Sequence, residues 1–228
     1  MEKGILFNTE MVQEILKGRK TYTRRLIKPQ PKSLLCFTFA GKEAGTWGYP
    51  FPGAEKSWGE QFKLPESISR EELERRWTPP AHTGDTLYVR ETWCMDEGKY
   101  YYLADKGTDR AESFDYDSAK WKPSIHMPKE ASRLWLKVKS VQIEKLQEIT
   151  WQQAANEGCY GSTSDEPDPL FHLPTLRGEF RRVWESTLRP EEMQAYGWDA
   201  NPFVWVIEFE RNEERWNKAL EGGNKNEM

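Results

Sequence analysis

The stretch NTEMVQEILKGRKTYTRR, from Asn8 to Arg25, carries the strongest local signals in this 228-residue chain. Asn8 or Thr9 is suited to cap a helix through its side-chain oxygen. The apolar residues that follow recur at the spacing of one helix face: Met11, Val12, Ile15 and Leu16. Gly18 ends this helix, because glycine readily adopts the left-handed backbone of a C-terminal cap. The basic, β-prone residues 19–25 after it predict a strand.

Working outward, alternation and turn signals predict further elements on both sides of this stretch. An apolar run at Ile5–Phe7 precedes the helix as a strand, and the Gly84-Asp85 turn introduces another strand. Thr150 is suited to cap a second helix that Gly158 ends. The remaining predicted elements are strands at Thr86–Trp93, Tyr100–Ala104, Arg133–Leu146 and Phe203–Phe209, and an amphipathic helix at Leu176–Thr187.

Two regions interrupt this regular pattern. Prolines and glycines punctuate residues 28–80, and residues 106–125 are polar, so we interpret both as loop-rich insertions. The segment 212–228 predicts a charged C-terminal helix that continues into a polar tail. Residues 1–211 are therefore interpreted as a single domain with two insertions.

Composition and charge limit the classes of protein to which this chain is expected to belong. A chain with 37% hydrophobic and 31% charged residues is typical of a folded protein. Its net charge of -4 does not favour nucleic acid globally, so any such contact needs a local basic patch. The sequence shows no membrane span or signal peptide, and we expect a cytoplasmic protein. The three cysteines, at 36, 94 and 159, are far apart, so we expect no disulfide framework, no metal and no cofactor.

The order of these elements resembles the ASCH-domain family, a branch of the PUA-like β-barrels. The family has a strand, a helix and a Gly-x-Lys-Thr-x-Thr-x-Arg segment, matched here by residues 18–25. A Gly-Asp turn follows, matched by Gly84-Asp85, and then a helix with a glutamate near its end, matched by residues 149–157. The larger phage and prophage variety has Val-Arg-Glu-Thr-Trp and Ile-His-Met-Pro segments, matched by residues 89–93 and 125–128.

The resemblance implies an α+β fold. The expected core is a PUA-like β-barrel, closed or partly open, with flanking helices and a long loop-rich insertion. It also implies a protein that handles a modified nucleoside or RNA. In the small bacterial ASCH proteins that hydrolyse N4-acetylcytidine, a lysine, a threonine and a glutamate form the proposed catalytic set. These residues fall on Lys20, Thr23 and Glu157 in this sequence.

Hydrolysis of an amide requires a nucleophile, a base and stabilisation of the developing oxyanion. Thr23 offers a hydroxyl, and Lys20 is a candidate base if its surroundings depress its pKa. Glu157 is suited to position water or to shuttle a proton to the leaving amine. The same residue types also occur on solvated strand faces, which is the alternative interpretation. A non-catalytic RNA or modified-base binding module and a ribonuclease that uses the same pocket also remain open.

Several neighbouring residues are candidates for binding substrate or nucleic acid. A basic cluster is suited to contact phosphate, or simply to form a charged strand edge: Arg19, Lys20, Arg24, Arg25 and Lys28. Tyr22 is a candidate for stacking on a base, whereas core packing is the favoured role of Trp93 and Trp135. Arg90 and Glu91 interrupt an apolar strand, so one of them is expected to point to a pocket or solvent. His126 is a candidate to line the same pocket.

Overall fold

The computed structural model describes residues 1–28, 30, 79–111, 113–159 and 173–216. Its strands are β1 (Glu2–Leu6), β2 (Tyr22–Leu26), β3 (Thr86–Arg90), β4 (Trp93–Asp96), β5 (Lys99–Tyr102), β6 (Trp135–Lys145) and β7 (Phe203–Arg211). Its helices are α1 (Thr9–Leu16), α2 (Trp151–Asn156), α3 (Leu173–Ser186) and α4 (Met193–Tyr196). The predicted insertion at 28–80 lies almost wholly outside the described residues, as does most of the predicted C-terminal tail.

Five of the strands form one sheet in the order β1-β3-β6-β7-β2, and β4 and β5 form a separate hairpin. β1 runs parallel to β3, whereas β2 is antiparallel to β7. This mixture of sheet and helices confirms the α+β class. A barrel closes only when its two edge strands pair with each other. In the part of the chain that the structure describes, no pairing joins β1 to β2. The closed form of the expected barrel is therefore wrong.

The chain divides into two compact units, and β6 and β7 contribute residues to both. The first unit contains Met1–Thr21, Gly84–Val138 and the described residues from Phe209 onward. Here α1 buries the four apolar residues that its periodicity identified, and Asn8 accepts a hydrogen bond from the Met11 amide at 2.8 Å. Gly18 has a φ of +74°, which is the left-handed conformation expected after this helix.

The second unit contains Lys139–Glu208 and the described residues of 22–83. Its core lies between one face of β2 and β7 and the two helices α2 and α3. The buried members include Ala154 of α2, Phe180 and Trp184 of α3, and Val204 and Val206 of β7. Tyr22 and Leu26 of β2 pack against the same core. Because side chains alternate along a strand, Arg24 lies on this face of β2 as well.

Thr150 caps α2 as expected. Its hydroxyl accepts from the Gln153 amide at 3.2 Å, and the Gln153 side chain accepts from the Thr150 amide at 2.9 Å. This reciprocal pair is a capping box, which satisfies two backbone donors at the helix start. Glu157 is the C-terminal cap, and Gly158 follows with a φ of +87°.

The strand expected at Thr86–Trp93 is interrupted. β3 ends at Arg90, and β4 begins at Trp93 in the hairpin. The Glu91 amide donates to the Met127 sulfur at 3.2 Å, outside any strand ladder. The Glu91 side chain is buried in an ion pair with Arg133, a long-range contact that overrides the alternating sequence pattern. Residues 106–111 and 113–125 of the second predicted insertion contain turns, the start of a short 3₁₀ helix at Ser124–His126 and one isolated bridge between Trp93 and Lys122.

Candidate functional site

All three residues of the expected catalytic set are buried polar groups. The exposed fraction is 3% for Lys20, 4% for Thr23 and 5% for Glu157. Lysine and glutamate are rarely buried to this degree unless they are paired or functional. The expected alternative, a solvated strand face, does not describe these side chains. Burial therefore distinguishes each of these three side chains from a residue on an ordinary charged surface.

Lys20 belongs to the first unit and lies just before β2. Its Nζ atom lies 5.5 Å from the centroid of the Phe7 ring. Phe7 in turn packs on Phe209 of β7, with ring centroids 6.2 Å apart. A cation held over an aromatic face is attracted by the ring quadrupole. The Nζ atom of Lys20 thus lies beside the packed rings of Phe7 and Phe209.

Thr23 and Glu157 belong to the second unit. Thr23 lies opposite Ile207 in the β2–β7 register. Glu157 accepts a hydrogen bond from Arg24 Nη1 at 3.2 Å, in an ion pair whose arginine side chain is fully buried. Arg25 also interacts electrostatically with the Glu157 carboxylate. Burial lowers the pKa of Arg25, and the charge of Glu157 acts in the opposite direction.

Arg24 links Glu157 to two polar residues that the sequence did not single out. Its Nη2 atom donates to Glu144 at 2.8 Å and to the side-chain oxygen of Gln153 at 3.1 Å. Gln153 donates to Glu144 at 3.3 Å, which closes a small network. We call Arg24, Glu144, Gln153 and Glu157 the Arg24 network. Glu144 follows Ile143 as an outward residue of an alternating strand, so no local pattern distinguished it from a solvated position.

Tyr22 lies at the edge of the same core. It faces Glu208 across the β2–β7 ladder, and Glu208 accepts from Ser140 at 2.9 Å. Burial, together with the charge of Glu208 and a hydrogen bond to it, raises the pKa of Tyr22 above its usual value. Because this phenol already packs against the helices and bonds to Glu208, it is held in place at the strand edge.

The basic cluster is extensively neutralised within the protein. Arg19 donates to Glu14 at 2.5 and 2.7 Å, and Lys28 forms an ion pair with Glu192. Together with the pairing of Arg24, this leaves fewer positive charges directed at solvent than the sequence suggested. Phosphate contacts by these side chains would have to compete with existing carboxylate partners.

Three other candidate residues lie in the first unit: Arg90, His126 and Glu91. Arg90 donates to the backbone oxygens of Met127, at 2.9 Å, and of Ile125. His126 is solvent-exposed on a short turn next to Ile125. The structure therefore gives Arg90 the role of holding the 125–127 turn, which explains why it interrupts the apolar pattern of β3.

Glu91 forms a second buried ionic cluster, with Arg133 and Asp105. Arg133 donates to both oxygens of Glu91 at 3.0 Å and to Asp105 at 2.6 Å. Burial raises the pKa of Glu91, although Arg133 opposes the shift. We call Glu91, Asp105 and Arg133 the Arg133 cluster. Trp93 and Trp135 are buried, as expected for core residues.

The described residues contain no grouping of three His, Cys, Asp or Glu side chains suited to hold a metal ion. No helix among them combines the length and apolar character needed to cross a bilayer.

Comparison with known proteins gives one similarity. No family model and no curated protein matches the sequence. Among solved structures, the chain is similar to an ASCH domain from Lactobacillus crispatus JV V101 at 11% sequence identity. The match covers 92% of this chain and 79% of that chain, with a TM-score of 0.32.

Proposed function

We propose that this protein hydrolyses the exocyclic amide of an N-acylated cytidine, with Lys20, Thr23 and Glu157 as its catalytic residues. The observation that carries the proposal is the burial of all three polar side chains. Buried ionisable groups are costly unless they serve binding or chemistry, or are fully paired. The resemblance of residues 18–25 and 149–157 to the ASCH family supplies the reaction class.

The proposed chemistry proceeds in two stages. The Thr23 hydroxyl attacks the acyl carbon while Lys20, as the neutral amine, takes the hydroxyl proton. The tetrahedral intermediate breaks its C–N bond while the Glu157 carboxylate relays the proton from Lys20 to the departing amine of cytidine. Water then attacks the threonine ester, one of its protons restores the Thr23 hydroxyl, and the acid product leaves as the carboxylate and a proton.

The pairing of the basic cluster favours a small nucleoside over RNA as the substrate. Arg19, Arg24 and Lys28 each have a carboxylate partner within the protein. Affinity for RNA depends strongly on cations that neutralise backbone phosphates. A nucleoside carries no phosphate, so its binding does not require these side chains to neutralise one.

The test is direct. The purified chain is mixed with N4-acetylcytidine, and release of cytidine and acetate is followed by chromatography. We expect turnover by the wild type, and a loss of about 10²-fold or more in Lys20→Met and Glu157→Gln. Arg182→Met removes an exposed arginine of α3 and serves as the control that keeps full activity.

The same preparation distinguishes the competing functions. Absence of turnover by the wild type, or full activity in Lys20→Met, would overturn the proposal. RNA binding with a steep dependence on salt would then indicate a binding module. Shortening of labelled RNA would instead indicate a ribonuclease.

A further inference from the structure

The Arg24 side chain is fully buried, although it lies on a strand face that packs against a hydrophobic core. Its neighbours on that face, Tyr22 and Leu26, contact the core that includes Phe180 and Val206. The guanidinium carbon lies 5.7 Å from the centroid of the Phe180 ring. An apolar side chain would be the ordinary choice at this position.

The hydrogen bonds of Arg24 are unevenly distributed. Nη1 donates to Glu157, and Nη2 donates to Glu144 and Gln153, but Nε has no hydrogen-bond partner among the described residues. A buried donor without a partner costs about 1–3 kcal/mol. Replacing a buried ion pair by apolar residues is often neutral or stabilising. Stability alone therefore gives a weak reason for an arginine here.

The Arg24 side chain is held in place by a residue that makes further hydrogen bonds of its own. Gln153 accepts a hydrogen bond from Arg24 through its side-chain oxygen. The Gln153 side chain also accepts from the Thr150 amide and donates to Glu144. Since Glu157 is the C-terminal cap of α2, the same helix and its cap contribute both the residue that supports Arg24 and the carboxylate that Arg24 contacts. The guanidinium thus connects the start of α2, its end and strand β6 through fixed side chains.

We propose that Arg24 is a positioning residue that sets the orientation of the Glu157 carboxylate in the active site. The inference rests on the proposed function, because Glu157 is the proton-transfer group of that reaction. Arg24 contacts the Glu157 carboxylate and acts through it. A misplacement of about 1 Å in a catalytic group can cost about 10²-fold in rate.

A double-mutant cycle tests this role. Arg24→Met is expected to lower kcat by about 10²-fold with KM nearly unchanged, since substrate binding does not depend on the arginine. In the Glu157→Gln background, the same substitution is expected to lower kcat no further. An equal loss in both backgrounds would overturn the proposal.

Two further variants separate positioning from folding. Arg24→Lys keeps the charge but cannot reach three acceptors in a planar fork, so we expect partial recovery of kcat relative to Arg24→Met. Arg182→Met makes the same chemical change at an exposed position and is expected to leave kcat unchanged. If Arg24→Met does not fold, Arg24→Lys alone is measured, and a wild-type kcat in that variant would contradict the proposal.

A readout that needs no turnover distinguishes failure of this inference from failure of the proposed function. In protein labelled with ¹³C at glutamate carboxyls, Glu157→Gln assigns the Glu157 resonance. Arg24→Lys is expected to shift that resonance, whereas Arg182→Met leaves it in place. A wild type without activity but with this shift would remove the proposed reaction and retain Arg24 as the residue that orients Glu157. An unmoved resonance would remove the inference whether or not the enzyme is active.

Discussion

Arg133 holds the Glu91 carboxylate in a forked pair, with its Nε and Nη2 atoms each 3.0 Å from one carboxylate oxygen. Its third nitrogen, Nη1, donates to Asp105 at 2.6 Å, and the guanidinium carbon lies 3.9 Å from the centroid of the Tyr102 ring. One cation therefore serves two buried carboxylates. Burial acts to lower the pKa of Arg133, but the two carboxylates dominate and raise it above its ordinary value.

Removal of the Arg133 side chain is expected to lower the free energy of unfolding strongly. Arg133→Met leaves Glu91 and Asp105 buried without their cation, and breaking a buried pair in this way costs about 3–5 kcal/mol. Glu91→Gln keeps the shape and leaves Arg133 with Asp105, so we expect a loss of only about 1 kcal/mol. Urea unfolding curves measure both changes.

The control for that prediction is Arg181→Met, which breaks an ion pair with the exposed Asp199. Surface pairs contribute about 0–1 kcal/mol, so this variant should unfold near the wild-type midpoint. An Arg133→Met protein as stable as the control would show that the buried cluster does not support the fold.

The stability of the first unit is also expected to depend on pH through Glu91. Burial raises the pKa of Glu91 above its ordinary value of 4.5. A raised pKa means that the folded state binds this proton more tightly. The resulting stabilisation is complete below pH 4.5 and is lost as pH rises through the folded-state pKa.

The difference between wild type and Glu91→Gln isolates this contribution, because most other titrating groups are common to both proteins. We expect the free energy of unfolding of Glu91→Gln to rise relative to that of the wild type as pH increases from 4.5 upward. Urea unfolding at pH 4 to 8 measures it. A constant difference across that range would contradict the predicted shift.

Gly84 is required for its backbone conformation and not for its small size. Its φ is +86°, and a Cβ added there would meet no atom within 4 Å. Gly84→Ala should therefore destabilise by about 1–2 kcal/mol, the cost of a left-handed conformation for an L-residue. Gly178→Ala, within α3 and equally free of contacts, is the matched control. It should stabilise by about 0.5–1 kcal/mol, so a thermal shift of the same sign in both variants would contradict this explanation.

The capping box of α2 connects stability with the proposed activity. Thr150→Ala removes the acceptor for the Gln153 amide and should cost about 1 kcal/mol. Because Gln153 also supports Arg24, we expect kcat on N4-acetylcytidine to fall as well. Thr150→Ser keeps the hydroxyl and should restore both quantities. A drop in melting temperature without any change in kcat would disconnect the cap from the Arg24 network.

The nucleophile is tested by a change that preserves shape. Thr23→Val replaces the hydroxyl by a methyl group at a buried position, and we expect a loss in kcat of about 10²-fold or more. Thr23→Ser retains a hydroxyl and should keep measurable turnover. Steady-state rates of cytidine release compare the two, and an active valine variant would assign the attack to water instead of Thr23.

Local chemistry explains which parts of the fold were predictable. The helix after Asn8 and the helix after Thr150 follow from a capping side chain, apolar spacing and a closing glycine, all within about ten residues. The long strand β6 follows from alternation. By contrast, the break after β3 depends on the buried contact of Glu91 with Arg133, which is 42 residues away. No sequence window of ordinary length contains both residues.

The sequence alone determined the helices after Asn8 and Thr150, most of the strands, the left-handed Gly18, Gly84 and Gly158, and the polar residues of the 18–25 segment. Only the tertiary structure decided that Lys20, Thr23 and Glu157 are buried and that Arg24 pairs with Glu144 and Glu157. It also decided that the five-stranded sheet remains open. Caps and periodicity act between neighbours in the chain, whereas burial and ion pairing depend on residues that only folding brings together.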